Sequence, residues 1–224
     1  SPDWVLPGNG AAELFTWAAR DAAAVGVSGL LAPGFADYRR ALQSWDASWL
    51  ETPLVLSWEH AGPLHHPRLE GSVAWICNPH NPTGQLWSRA SLEAMLDRHA
   101  LVICDEAFLP LVPEAEQQSM IALVAQHPNL VVIRSLTKLF GVAGLRVGYA
   151  IAQPDRLKRW KAWRDPWPVN GIAAALTEQW LGRPGCYERW CARVQRWTAT
   201  EGAWMQGELA RVPEITPMPS AANF

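Results

Sequence analysis

Lys138 sits in Ser135-Leu136-Thr137-Lys138-Leu139-Phe140-Gly141-Val142-Ala143-Gly144-Leu145-Arg146-Val147-Gly148-Tyr149, which crowds hydroxyls, one lysine, glycines and an arginine into one connection. A lysine amine captures carbonyl compounds as Schiff bases. A lysine fixed between two buried strands is costly as an ammonium unless it is paired or neutralised, whereas a lone loop lysine simply extends to solvent. Complementary chemistry lies elsewhere in the chain. Asp105-Glu106 closes an apolar run, and carboxylates at a strand's C-terminal end lie where open parallel sheets bind ligands. The plain alternative is a surface acid. Asn78-Pro79-His80-Asn81-Pro82-Thr83-Gly84 holds asparagine amides in a turn stiffened by two Asn-Pro steps. Gly8-Asn9-Gly10 opens a helix whose unpaired amides converge on one spot and suit an anion. On its own it is a tight turn. A dinucleotide fingerprint is excluded there, since Glu13 replaces the third glycine and no proper strand is expected ahead of the loop.

Apolar runs bracket these residues. Strands are expected at Leu54 to Trp58, Val73 to Cys77, Leu101 to Cys104, Leu130 to Ile133 and Val147 to Ala152. Helices are expected over Ala11 to Ala24, Asp37 to Trp45, from Ser88 as cap to His99, Ser119 to Gln126, Asp155 to Arg164, Val169 to Leu181 and Tyr187 to Arg211. Strand and helix alternate, which argues for an α/β fold on a largely parallel sheet with right-handed crossovers. The basic residues of the Asp155 helix form a solvated face, and His60, His65 and His66 sit solvated in a Pro/Gly-rich loop. Trp190, Val194, Trp197 and Trp204 share one stripe of the last helix, which suits core packing or a subunit contact.

The 224 residues are 49% hydrophobic and 18% charged, enough for a substantial core. A net charge of −2 gives no footing for nucleic acid, and no apolar run approaches a membrane span. The four cysteines have neither metal-ligand nor redox spacing, so no metal is expected and the protein is read as reduced and cytoplasmic. The 14 tryptophans have no functional account.

The separate signals combine into one requirement: an anion site at a helix start, the aromatic Phe35, the amide of Asn81, the carboxylate of Asp105, Lys138 and Arg146. Pyridoxal 5'-phosphate needs this set. A lysine takes its aldehyde, an aspartate keeps its ring nitrogen protonated, a donor holds its phenolic oxygen, an aromatic covers its face, and amides, hydroxyl and arginine grip its phosphate. The Asn78–Gly84 turn, Asp105-Glu106-Ala107-Phe108, and Ser135 through Lys138 to Arg146-Val147-Gly148 resemble the class I/II, fold type I pyridoxal-phosphate aminotransferases. Within them the chain is most similar to the histidinol-phosphate aminotransferases and threonine-phosphate decarboxylases. The resemblance implies a mostly parallel, seven-stranded type of sheet with helices on both faces, in a homodimer. It implies a cofactor-binding large domain at residues 1–165, and a long-helix region at 166–224 leading into a small domain that is truncated here. It implies Lys138 as Schiff-base lysine and proton shuttle, Asp105 on the ring nitrogen, Asn81 on the phenolic oxygen and Phe35 against the ring. Ser135, Thr137, Arg146 and the amides around Gly10, Ala11 and Ala12 hold the phosphate, and Asn223 lies near the substrate.

Aminotransferases of this group carry a tyrosine at the position of Phe108, where it helps hold the phenolic oxygen. Phenylalanine there, with Gly8-Asn9-Gly10 running into Glu13, looks more like the threonine-phosphate decarboxylases. The expected activity is therefore that of a pyridoxal-phosphate enzyme on a small amino acid or amine, leaning to L-threonine-O-3-phosphate decarboxylation in cobalamin biosynthesis. The alternatives are an aminotransferase such as histidinol-phosphate aminotransferase, the cofactor-sensing domain of a transcription regulator, or a cofactor-free scaffold, against which Lys138, Asp105 and Arg146 speak.

Overall fold

A computed structural model describes residues 1–54, 56, 63–113 and 115–224. Its frame is one seven-stranded sheet of β1 (Val5–Asn9), β2 (Ser28–Ala32), β3 (Trp49–Pro53), β4 (Val73–Cys77), β5 (Leu101–Asp105), β6 (Leu130–Ser135) and β7 (Val147–Ile151). The spatial order is β1-β7-β6-β5-β4-β2-β3. Neighbours from β6 through β3 pair in parallel, while β7 runs antiparallel to both β6 and β1.

The inner strands are buried on both faces, as their continuous apolar runs require. Side chains alternate between faces. Val73, Trp75 and Cys77 join Leu101, Ile103, Val131 and Ile133 in one core, under α1 (Gly10–Val25), α2 (Asp37–Gln43) and α5 (Pro154–Trp163). Ala74, Ile76, Val102, Cys104 and Val132 face a second core under α3 (Arg89–Leu96). The helix starts follow from local chemistry: the Ser88 hydroxyl accepts the Ser91 N–H (3.3 Å), and Pro154 opens α5. Three more helices complete the chain: the single turn α4 (Leu136–Leu139), α6 (Gly171–Leu181) and α7 (Cys186–Leu209). Among the described residues no helix is long and apolar enough to cross a membrane.

Several expectations are corrected. A strand does precede the Gly8-Asn9-Gly10 turn: β1 runs directly into α1. It is an edge strand bonded only to β7, so it tolerates Pro7. The other edge strand, β3, lies at Trp49–Pro53; the strand expected at Leu54 to Trp58 falls largely on Val55, Ser57 and Trp58, which lie outside the described residues. The Ser119 segment is one 3-10 turn, Met120–Leu123, because its Met120 N–H and Ser119 hydroxyl are drawn to Glu106. The α5 face is not wholly solvated. Arg156 pairs with the buried Asp21 of α1, and Arg164 lies 3.7 Å from Glu13. His66 is also turned inward, its ring 4.9 Å from Trp87, and burial depresses it to about pKa 4. His60 lies outside the described residues.

Candidate active site

The C-terminal ends of β4, β5 and β6 meet the starts of β7 and α1 at one edge of the sheet. Register fixes this: Cys77 pairs with Asp105, Asp105 with Ile133, Ser135 with Gly148, and Gly148 with Gly8. Residues far apart in sequence therefore converge without any loop having to find its place alone.

Asp105 is the last residue of β5 and is buried. Its Oδ1 accepts the Ala107 N–H at 2.9 Å, and its Oδ2 accepts the Tyr38 hydroxyl at 2.7 Å. Burial pushes its pKa up to about 6, with the two hydrogen bonds and Lys138 pulling against that rise. Lys138 rides on α4. Its side chain is exposed, so the expectation of an ammonium buried between strands does not hold. Its Nζ stands 5.0 Å from the centre of the Phe108 ring, against which Phe224 packs edge-on at 4.9 Å. Asn223 therefore adjoins Phe224, whose ring packs on the Phe108 ring that faces the lysine.

The anion end is a cup. Gly10 has φ +76°, and the space its side chain would need is taken by the Arg146 guanidinium. Gly148 brings β7 against the start of α1: a Cβ there would come within 2.9 Å of the Ala11 nitrogen. Only glycine permits both approaches. Asn9 caps α1 without a side-chain bond, and the first amides of a helix have no partner within it. Glu13 instead reaches back to the Asn9 N–H at 2.6 Å, which fixes the turn. The Ser135 and Thr137 hydroxyls, both on buried residues, stand 2.7 Å apart beside it.

In the turn after β4 the Asn78 side chain is bonded into the fold. The Asn78 amide donates to Trp87 O (3.1 Å) and accepts Trp87 N–H (2.9 Å), and its backbone N–H donates to Asp105 O (2.8 Å). Asn81 is half-buried just beyond. Phe35 is half-buried ahead of α2, 5.5 Å from Tyr38.

The structure thus gathers Asp105, Lys138, Phe108, Asn81 and Phe35 near the strand ends, with Gly10, Ala11, Ala12, Ser135, Thr137 and Arg146 forming the cup. An anion cup, a buried carboxylate and an amine near the same strand ends match the chemistry of pyridoxal 5'-phosphate, an aromatic cation with an aldehyde and a phosphate. Sequence reasoning missed Tyr38, whose available signal was its spacing of three residues from Phe35. It also missed the capping role of Glu13.

The model of the aminotransferase class I and II family matches residues 30–224. The chain is 32% identical to the threonine-phosphate decarboxylase of Salmonella typhimurium, over 99% of its own length and 61% of that protein. It is 32% identical to the histidinol-phosphate aminotransferase of Aeromonas hydrophila, over 83% of its length and 53% of that protein. A solved histidinol-phosphate aminotransferase from Sinorhizobium meliloti, in complex with pyridoxal-5'-phosphate, superposes with a TM-score of 0.77 at 20% identity, covering 99% of this chain and 60% of the other. The chain spans between about half and three fifths of the length of these proteins.

Proposed function

The chain belongs to the aminotransferase class I and II family, a family dependent on pyridoxal phosphate, and from that premise we propose that it binds this cofactor at these strand ends and acts on a small amino acid or amine. The observation that carries the proposal is the convergence of the anion cup, Lys138 and buried Asp105 on one sheet edge. When bound, the cofactor supplies an aldehyde and a protonated ring that accepts the electron pair released at the substrate's α carbon.

Lys138 is the amine that takes the aldehyde and afterwards carries a proton at the α carbon. Asp105 holds the proton on the ring nitrogen. Asn81 donates to the phenolic oxygen, and Phe35 covers a ring face. Arg146, the Ser135 and Thr137 hydroxyls and the α1 amides bind the phosphate. Phe108 offers no hydroxyl, so Asn81 is left as the main donor to the phenolic oxygen. Asn223 lies toward the substrate.

With the cofactor bound, the electron pair it accepts could come from loss of the substrate's carboxylate as carbon dioxide or from loss of its α hydrogen as a proton, the second of which would lead to amino transfer. The reading favoured here is decarboxylation of a substrate like O-phospho-L-threonine, supported by Phe108 and by the Salmonella relative. Amino transfer of the histidinol-phosphate type is the second reading, supported by the Aeromonas relative. The same proposal makes residues 1–165 the cofactor domain and 166–224 the lead into a second one. It also makes the protein a cytoplasmic homodimer without nucleic-acid partners; Trp197 and Trp204, 58% and 57% exposed on α7, support a protein contact there.

The test uses the complete protein loaded with pyridoxal 5'-phosphate and given O-phospho-L-threonine without a keto acid. Repeated release of carbon dioxide supports decarboxylation. A single stoichiometric loss of the cofactor's yellow band, restored by 2-oxoglutarate, supports amino transfer. Borohydride should fix the cofactor to the wild-type chain and not to Lys138→Ala. Fixation to the variant would mean that another lysine does this work.

A further inference from the structure

Tyr38 lies on α2 and is 4% exposed. Its ring is held edge-on by Phe15 (5.2 Å) and Phe35 (5.5 Å) and tilted against Trp75 (5.1 Å). Three aromatic neighbours fix the ring, and with it the direction of the hydroxyl. That hydroxyl donates to Asp105 Oδ2 at 2.7 Å, across 67 positions of sequence. Burial and the nearby Asp105 charge raise the phenol well above its ordinary pKa, so it remains a donor throughout the physiological range. With Ala107 N–H on the other oxygen, the carboxylate is clamped at both atoms and cannot rotate.

We propose that Tyr38 is a positioning residue that aims the Asp105 carboxylate at the cofactor's ring nitrogen and weakens its basicity, so that the shared proton stays on the ring. The inference rests on the proposed cofactor site. A donor to a carboxylate stabilises its ionised form, and a less basic carboxylate competes less for the ring proton. The other titratable groups that bear on Asp105 are Cys77 on β4, Cys104 and Glu106 on its own segment, and Lys138 on α4. None of these donates a hydrogen bond to the carboxylate; among the described residues Tyr38 is the one side chain that does. Phe35, expected against the ring face, and Tyr38, behind the ring's proton partner, stand on one turn of chain. Two properties of the cofactor environment thus share one support.

The test compares the complete wild-type protein with Tyr38→Phe, which keeps the ring packing and removes only the hydroxyl, and with 3-fluorotyrosine at position 38, a stronger donor of nearly the same shape. In cofactor-free protein the Asp105 carboxyl, followed by carbon-13 NMR, should titrate higher in Tyr38→Phe by about one pH unit or more, a tenfold or greater loss of acidity. It should titrate lower with 3-fluorotyrosine. In protein loaded with ring-nitrogen-15 pyridoxal 5'-phosphate, the nitrogen resonance should move toward the neutral pyridine position in Tyr38→Phe. A role in packing alone moves neither signal. Unchanged Asp105 titration in both variants overturns the inference while leaving the cofactor site standing. Failure of the wild-type protein to bind the cofactor overturns the site itself.

Discussion

Asp105 and Glu106 are adjacent acids at the end of one strand, both buried, and they are treated in opposite ways. Glu106 is saturated by the protein. Its Oε2 takes Arg134 Nε (3.0 Å) and Nη2 (2.8 Å) and the Ser119 hydroxyl (2.8 Å), and its Oε1 takes Met120 N–H (2.7 Å). Burial lifts its pKa, and those partners pull it back. Among the described residues Asp105 has two neutral donors and no hydrogen-bonded cation, with Lys138 acting on it only through space. The difference separates structure from function. A carboxylate whose countercharge is built in ties β5 to β6; one whose countercharge must come from outside is a binding group. Strand alternation makes the division possible, since successive residues address opposite sides of the sheet.

The largest expected effect would break the Glu106 half of this contrast. Glu106→Ala leaves Arg134, only 4% exposed, with Glu116 at the surface as its remaining carboxylate. It should cost about 3–5 kcal/mol in denaturant unfolding at pH 7. A loss under about 1 kcal/mol would mean that the pair is not what joins the strands.

Asp105→Asn should act in the other direction. The folded pKa of about 6 lies above the ordinary 3.8, so the favourable protonated state is fully present below about pH 4 and lost as pH rises through 6. The ionised group then costs about 2–3 kcal/mol in the cofactor-free protein. The asparagine variant should be more stable by about that amount at pH 8, nearly unchanged at pH 4, and poor at retaining cofactor. Equal stability at both pH values would sink the claim that Asp105 waits for an external cation.

Phe108→Tyr is the smallest change. It adds one donor beside Lys138, and should lower the pH midpoint of the loaded protein's absorption change by up to about one pH unit. An unmoved midpoint would show that the new hydroxyl does not reach the phenolic oxygen.

The buried middle of the sheet was legible because β4, β5 and β6 are continuous apolar runs closed by polar motifs. Both edges were not. The exposed residues of β3 and the Pro7 and Gly8 of β1 erase the hydrophobic pattern, because an edge strand answers to one neighbour only. The site residues inside motifs were readable for the same local reason. Tyr38 with Asp105 and Arg134 with Glu106 were not, since each pair is made by the sheet order, which brings together side chains that no spacing links. The exposure of Lys138 was likewise set by the unforeseen turn α4.

The reversed direction of β7 acts as a ruler. It starts where β6 ends, so Arg146, one residue before it, arrives beside Ser135. Five residues at about 3.3 Å each span about 17 Å. A parallel β7 would have left its first residue at the far edge of the sheet, beyond any arginine's reach. One reversal of the chain thus brings the Ser135, Thr137 and Arg146 part of the phosphate end together within a single hairpin-like unit, which Gly10, Ala11 and Ala12 join when β1 pairs with β7. The Asp105 end must wait for crossovers that bring α2 and β4 alongside β5, and short chain closures are the ones that form fastest.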